Sequence, residues 1–150
     1  MPQSLACLQV HLVFSTKNRE RIISDSVRPT LHAYMATVLQ SIDCPADLIN
    51  SVDDHVHILF NQARTVAIST VVEEVKKASS KWIKTQGSEF ANFSWQAGYG
   101  AFSVSESNVQ IVRDYIVKQQ EHHRRTTFQD EYRLFLERHR VAFDERYMWE

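Results

Sequence analysis

Segments with strand-like and helix-like hydrophobic periodicity follow one another in this chain in the order strand, helix, strand, strand, helix, strand. Alternate side chains of a strand face opposite sides, whereas a helix repeats its apolar residues every three or four positions. Residues 5–15 alternate, with Leu12 on the apolar face and Gln9 and His11 on the other, and we predict the first strand there. This order constrains the fold more than any other feature, because few sheet topologies accommodate it.

The remaining elements follow from the same two periodicities. We predict helices at residues 29–42 and 68–83, and further strands at residues 46–52, 55–60 and 95–105. The resulting βαββαβ order predicts an α+β, ferredoxin-like fold, an antiparallel sheet with both crossover helices on one face. Additional C-terminal helices follow, one opened by a capping box at Ser107 and Gln110 and one at residues 127–140. The second face of the sheet is either open or covered by these helices.

Composition and charge are those of one ordinary folded domain. The chain has 150 residues, and its three glycines and three prolines favour long elements joined by short loops. The formal net charge of −1 gives no overall attraction to a polyanion, although lysines and arginines cluster locally. Cys7 and Cys44 are predicted to be reduced core residues. Because we find neither a signal-peptide pattern nor a membrane-spanning apolar run, we expect a cytoplasmic protein with no membrane partner.

Two histidines one residue apart give the first indication of chemistry. His55 and His57 fall in the third predicted strand, so both project from one face while Val56 and Ile58 project from the other. Two imidazoles side by side on a sheet surface can bind one divalent metal ion. A pair of solvent-facing histidines has the same spacing, so this motif alone does not decide between the two.

A tyrosine and a glutamine share one face of the third predicted helix. Tyr115 and Gln119 are four residues apart, which brings their side chains close enough to act on one site. A tyrosine in an amphipathic helix is more often a residue at the edge of the core than a nucleophile. The order of the two motifs within the predicted fold is more specific than either motif alone.

This combination resembles the single-tyrosine HUH transposases, small enzymes of bacterial insertion sequences that move as single-stranded DNA. The resemblance rests on Asp54-His55-Val56-His57, on the later Tyr115 helix with Gln119, and on the predicted element order. It also includes His11-Leu12-Val13-Phe14 in the first strand, the following Thr16-Lys17-Asn18-Arg19, and residues 95–105. It therefore covers nearly all of the chain up to Gln119.

The resemblance implies metal-dependent DNA cleavage and strand transfer. His55, His57 and Gln119 would bind the metal, Mg²⁺ or Mn²⁺, and Tyr115 would be the nucleophile. Two imidazoles and an amide are uncharged, so the metal would keep its full charge to polarise the scissile phosphate. Attack by Tyr115 would give a 5′-phosphotyrosine intermediate and a free 3′-hydroxyl, and a second 3′-hydroxyl would reverse the step without a nucleotide cofactor. No residue of the sequence stands out as the base.

The resemblance also implies the partners. The substrate would be single-stranded DNA with hairpins at the ends of the element. The enzyme would be a homodimer with composite active sites, in which the tyrosine helix of one subunit serves the histidine pair of the other. Basic residues are predicted to contact DNA phosphates, namely Lys17, Arg19, Arg21, Lys76, Lys77, Arg113 and Lys118.

We assign residues 1–125 to the catalytic domain and residues 126–150 to a C-terminal helical extension packed on the same domain. The acidic tail lies outside the minimal catalytic core, and its aromatic residues are predicted to pack. Two other functions stay open. A domesticated or inactive single-stranded nucleic-acid-binding regulator would keep the fold without the chemistry, and a hydrolytic phosphodiesterase would use water as the nucleophile. A covalent protein–DNA adduct that requires Tyr115 distinguishes the transposase from both.

Overall fold

The structure, a computed structural model, describes residues 2–150 and confirms the predicted α+β architecture. Its strands form one antiparallel sheet in the spatial order β2-β3-β1-β4. They are β1 (Gln9–Ser15), β2 (Ala46–Ser51), β3 (His55–Asn61) and β4 (Gly100–Val104). The helices are α1 (Arg28–Ser41), α2 (Ile68–Ile83), α3 (Val109–Val117), α4 (Gln119–Arg125) and α5 (Phe128–Arg138). The strand order is the one that a ferredoxin-like βαββαβ connection produces.

The first strand begins later than predicted, and the third helix begins without the predicted cap. β1 begins at Gln9 rather than residue 5, because its pairing with β3 and β4 starts there, and Leu5 is 86% exposed. The capping box predicted at Ser107 is wrong. The Ser107 hydroxyl lies 3.2 Å from the Ser105 hydroxyl, and α3 begins two residues later without a side-chain cap.

One face of the sheet builds the main core with α1 and α2. The apolar side of β1 alternates inward as predicted, and the same face of β3 contributes the residues that flank the two histidines. The strand residues that pack there are Val10, Leu12, Phe14, Val56, Ile58 and Phe60. Helix α1 adds Leu31 and Met35, and α2 adds Val71 and Val75. The histidines therefore face the opposite side.

The second face is covered by the C-terminal helices. Phe128, Tyr132 and Leu136 of α5 form a smaller apolar cluster with Val13 and Phe102 of the sheet. Helix α5 lies so close to β4 that a β-carbon on Gly100 would be 2.5 Å from the Tyr132 ring. The absence of a side chain at Gly100 thus permits the close approach of this helix.

The tail after α5 holds that helix on the sheet. Trp149 packs on the rings of Phe128 and Tyr132, at centroid distances of 6.3 and 5.8 Å. Two further contacts fix the segment: Arg133 pairs with Glu145 at 2.6 Å, and the Gly98 N–H donates to the Glu150 carbonyl at 2.8 Å. The tail thus closes one end of the second face.

Two findings bear on the predicted compartment. Cys44 is buried as predicted, but Cys7 is exposed because it precedes the start of β1, so the prediction that both cysteines are core residues is wrong for Cys7. Within residues 2–150, none of the helices combines the length and the apolar character needed to cross a membrane.

Candidate active site beneath the C-terminal helices

The two histidines of β3 lie side by side on the second face of the sheet, under α3, α4 and α5. His55 is 1% exposed and His57 is fully buried. Their ring centroids are 5.2 Å apart. A solvent-facing histidine pair, the alternative that the spacing left open, is thereby excluded.

Tyr115 and Gln119 reach the same place, although they belong to two helices. Helix α3 ends at Val117, and Gln119 begins α4, whereas the sequence predicted one continuous helix. The side chain of Asn50 in β2 donates to the Ile116 carbonyl at 2.7 Å, which binds the end of α3 to the sheet. Gln119 is fully buried, with its Oε1 3.2 Å from His55 Nε2.

Glu131 of α5 completes the cluster, and the sequence analysis did not single it out. It is only 5% exposed. One donor atom each from His55, His57 and Glu131 lies within 4.8 Å of the others. A signal was present in the sequence, because Glu131 falls on the apolar face of its helix, between Phe128 and Phe135 at helical spacing. A carboxylate in that position needs a buried partner.

The Glu131 carboxylate joins the histidine pair to the tyrosine. Its Oε1 lies 2.9 Å from His57 Nε2 and 3.3 Å from His55 Nε2. Its Oε2 accepts a short hydrogen bond from the Tyr115 hydroxyl. All four residues belong to one chain, so the structure brings the predicted nucleophile to the histidine pair of its own subunit.

Each histidine has a second polar partner on the side away from Glu131. The Nδ1 of His55 lies 2.7 Å from Asp54 Oδ1. The Nδ1 of His57 lies 2.8 Å from His11 Nε2, and His11 is only 2% exposed. Each ring is therefore held at both nitrogens, with its Nε2 directed to the centre of the cluster.

Burial and pairing shift the pKa values of these groups in different directions. Burial lowers the pKa of His55, but hydrogen bonds to Asp54 and Glu131 outweigh it and raise the pKa to about 9. Burial lowers the pKa of His57 and, together with His57 itself, that of His11. The two histidines outweigh the burial of Glu131 and hold its pKa well below its ordinary value. His55 is thus the cation of the cluster.

Tyr115 is held in its neutral form. Burial raises the pKa of the phenol above its ordinary value, and the nearby Glu131 carboxylate raises it further. The imidazole of His122 stacks on the ring at a centroid distance of 4.6 Å. Removing the phenol proton therefore requires an added positive charge or a group that accepts the proton.

The donor set fits a divalent metal ion. Imidazole nitrogens suit Mn²⁺, and the Glu131 carboxylate is a hard ligand that suits Mg²⁺ or Mn²⁺. The amide of Gln119 lies in the same cluster, and its buried Nε2 has no hydrogen-bond partner among the described residues. Two carboxylates, those of Asp54 and Glu131, hydrogen-bond the single cationic ring of His55. The cluster is thus arranged around one positive charge, and a metal ion bound at Nε2 of His55 would take the place of the proton on that nitrogen.

A surface cavity gives access to the tyrosine and to Glu131. Its volume is about 300 Å³. It lies between α3, α4 and α5, and its lining residues are Tyr115, His122, Thr126, Glu131, Leu134, Phe135 and Arg138. The positive charge of Arg138 lies close enough to Tyr115 to favour its ionised form. This is the side from which a phosphate group can approach the phenol oxygen.

The predicted DNA contacts lie outside the buried cluster. Lys76 donates to three backbone carbonyls of the loop before β4. Lys77 and Arg113 each pair with a neighbouring carboxylate. Arg19 lies 5.7 Å from the ring of Trp149 in the tail. The remaining predicted contacts are exposed, namely Lys17, Arg21 and Lys118.

Comparisons with known proteins give the family and the fold. A family model described as "Transposase IS200 like" matches residues 4–119. A candidate transposase from Deinococcus radiodurans R1 has a similar structure, with a TM-score of 0.62 and 21% identity over 79% of this chain and 98% of that chain. A REP-associated tyrosine transposase bound to a REP hairpin gives a TM-score of 0.61 and 14% identity over 82% of this chain and 74% of that chain. At these identities the structures show a shared fold. No curated protein sequence matches the chain.

We predict that the metal-free protein loses stability as the pH rises from about 6.5 to 8. His55 has a folded-state pKa of about 9 against an ordinary value of 6.5, so the folded state holds an extra proton across this range. Its contribution is complete below pH 6.5 and is lost as the pH rises through 9, with at most roughly 2 kcal/mol lost by pH 8. Urea unfolding in the presence of EDTA measures the change.

The control is His55→Gln, which removes the titrating group and should flatten the curve in this range. The lowered pKa values of His11 and His57 act in the opposite direction and only below about pH 6.5, where their contribution is lost as the pH falls. A wild-type stability that rises between pH 6.5 and 8 would contradict the cationic state assigned to His55.

Proposed function

The chain belongs to the IS200-like transposase family, and on this basis we propose that it cleaves and rejoins single-stranded DNA through a covalent link to Tyr115. The observation that carries the proposal is the arrangement around Glu131. One carboxylate contacts both histidines through one oxygen and accepts the Tyr115 hydroxyl through the other. The proposed metal ligands and the proposed nucleophile thus share one carboxylate.

We propose hairpin-forming single-stranded DNA as the substrate. One structure with the same fold is that of a transposase bound to a REP hairpin. Exposed cations of this chain supply phosphate contacts, and the cavity beside Tyr115 accepts the strand next to the scissile bond. A DNA substrate also implies action in the cytoplasm.

The metal would be Mg²⁺ or Mn²⁺, held by His55, His57 and Glu131, with Gln119 as a further ligand. When bound, it supplies positive charge that polarises the scissile phosphate and stabilises the phenolate. Glu131 would make the ligand set negatively charged, in contrast to the neutral set that the family resemblance implies. The extension from residue 126 onward, which carries Glu131, then belongs to the active site as well as to the fold.

Glu131 is also the group that takes the tyrosine proton. The Tyr115 hydroxyl already donates to Glu131 Oε2. As the phenol oxygen forms a bond to phosphorus, its proton passes to this carboxylate, and the bond from phosphorus to the 3′-oxygen breaks. The leaving 3′-oxygen takes up a proton from water to become a hydroxyl, and the DNA stays joined to the enzyme through a 5′-phosphotyrosine.

Rejoining is the same step in reverse. A 3′-hydroxyl from another strand attacks the phosphotyrosine, a new phosphodiester forms, and Tyr115 regains its proton. Each step exchanges one phosphodiester for another, so neither water nor a nucleotide cofactor is consumed. This balance distinguishes the transposase from a hydrolytic phosphodiesterase.

We further propose that Tyr115 acts in cis. The tyrosine ring and the His57 ring of the same chain are 5.9 Å apart, in edge-to-face contact. The site is complete without a second subunit, so a composite site is unnecessary. The predicted homodimer stays a prediction, which light scattering of the purified protein tests.

The covalent intermediate gives the first test of the proposal. Hairpin-containing oligonucleotides taken from the DNA flanking the gene are incubated with the protein and Mn²⁺ or Mg²⁺, and adducts are separated on a denaturing gel. We expect a wild-type adduct that Tyr115→Phe abolishes with DNA binding retained. Glu131→Gln should slow adduct formation by about 10²-fold or more, because the proton acceptor and a charged ligand are both lost.

Tyr147→Phe is the matched control, since it removes a phenol hydroxyl from an exposed residue of the tail. It should form the adduct at the wild-type rate. An undiminished adduct in Tyr115→Phe would contradict the assignment of the nucleophile. Turnover of the oligonucleotide without any adduct would favour the hydrolytic enzyme, and binding without turnover would favour the regulator.

Mixing two inactive variants tests whether the site lies within one chain. Tyr115→Phe and His57→Ala are co-expressed with different tags and purified together, so that any dimer contains both. If Tyr115 acts in cis, neither chain has a complete site and the mixture stays inactive. An adduct on the His57→Ala chain would show instead that its tyrosine works with the histidine pair of a partner. Wild type co-expressed with each variant is the control, because it shows how much adduct is lost when one chain of the pair is inactive.

A further inference from the structure

His11 is a buried neighbour of the histidine pair that has no part in the proposed reaction. It lies on β1, where the register pairs Val13 with His57 of β3, so His11 is the diagonal neighbour of His57 on the same face. Its Nε2 lies 2.8 Å from His57 Nδ1, and the two rings stack at a centroid distance of 5.0 Å. The ring of Phe135 meets His11 edge to face at 5.1 Å and restricts its rotation.

We propose that His11 is a positioning residue that stabilises the tautomer of His57 required in each state of the metal site. Its Nε2 donates a hydrogen bond to His57 Nδ1 in the metal-free protein and accepts one from His57 Nδ1 in the metal-bound protein. The inference rests on the proposed function, because it assumes that His57 is a metal ligand. It assigns a role to a residue that is neither a proposed metal ligand nor a proposed DNA contact.

Without metal, the neighbours of His57 determine where its proton lies. The ionised Glu131 carboxylate can only accept, so the 2.9 Å contact requires the proton of His57 on Nε2. Its Nδ1 then carries no proton and can only accept a hydrogen bond. His11 must donate from Nε2 to satisfy it, since a buried nitrogen without a partner is costly.

Metal binding reverses these roles. A metal ligand offers a lone pair, so Nε2 of His57 must lose its proton and Nδ1 must carry one. The hydrogen bond between the rings then runs from His57 Nδ1 to His11 Nε2, and the proton of His11 lies on its Nδ1. Each ring holds one proton in both states, so the pair changes tautomer without changing charge.

A carboxylate could not replace His11 in both states. Asp54 supports His55 in the usual way, as an acceptor beside a ring that donates from Nδ1. A carboxylate at position 11 would place His57 between two carboxylates, as His55 lies between Asp54 and Glu131, and would favour a cationic ring that must lose a proton before it binds metal. A neutral imidazole avoids this cost, because it donates or accepts through the same atom.

Metal affinity of variants at position 11 tests the inference. Mn²⁺ binding to the full chain is measured by titration calorimetry in wild type, His11→Leu and His11→Gln. Leucine offers no hydrogen bond and should weaken binding by about 10- to 100-fold. Glutamine can turn its amide to donate or accept, so it should restore most of the affinity. Phe102→Leu is the control, because Phe102 borders the His11 ring without a polar contact and its truncation should leave the affinity unchanged.

The outcomes separate this inference from the proposed function. Wild-type affinity in His11→Leu, with the wild-type protein binding Mn²⁺, would overturn the inference and leave the metal site standing. A wild-type protein that binds no Mn²⁺ would overturn both. Equal weakening by glutamine and leucine would indicate a packing role and overturn the tautomer argument.

A second measurement on the wild-type protein avoids dependence on folding of the variants. Long-range ¹H–¹⁵N spectra of the histidine rings report which nitrogen carries the proton, with Zn²⁺ as a diamagnetic probe. We expect the His57 proton on Nε2 without metal and on Nδ1 with Zn²⁺, and the same shift in His11. Tautomers that do not change on Zn²⁺ binding would overturn the inference.

Discussion

The contact of the Glu131 carboxylate with the His55–His57 pair and the Tyr115 hydroxyl is the interaction on which the site depends. One carboxylate oxygen faces the two imidazoles, and the other accepts the phenol. Burying a charge is costly unless it is paired and hydrogen-bonded, and here each partner is also a group that the chemistry needs. The same contact therefore stabilises α5 on the sheet and brings the proposed nucleophile to the proposed metal ligands.

The fold provides this contact by covering the second face of a ferredoxin-like sheet. Helix α5 lies against the sheet because Gly100 allows a close approach, and Trp149 packs behind the helix. Asn50 binds the end of α3, so that Tyr115 and Gln119 reach the cluster from two helices. The extension of residues 126–150 thus has a structural role and, as we propose, a chemical one.

Part of the site could be predicted from the sequence because its motifs are local. Strand alternation places His55 and His57 on one face, and helical spacing brings Tyr115 towards Gln119. Glu131 and His11 are different, since each meets the histidine pair only through tertiary packing, across 74 and 46 positions of the chain. Periodicity describes which face of an element a residue occupies, but not which element packs against that face. Whether the tyrosine meets its own histidine pair depends on the same packing and was equally beyond the sequence.

The central claim is that one chain holds a divalent metal through His55, His57 and Glu131 beside Tyr115. The most direct measurement is a crystal structure of the protein grown with Mn²⁺, with the ion located by its anomalous scattering. The account predicts one manganese ion bound to Nε2 of both histidines and to a Glu131 oxygen, with Tyr115 of the same chain adjacent. An ion bound elsewhere, or bound to the two histidines with Glu131 turned away, would contradict it.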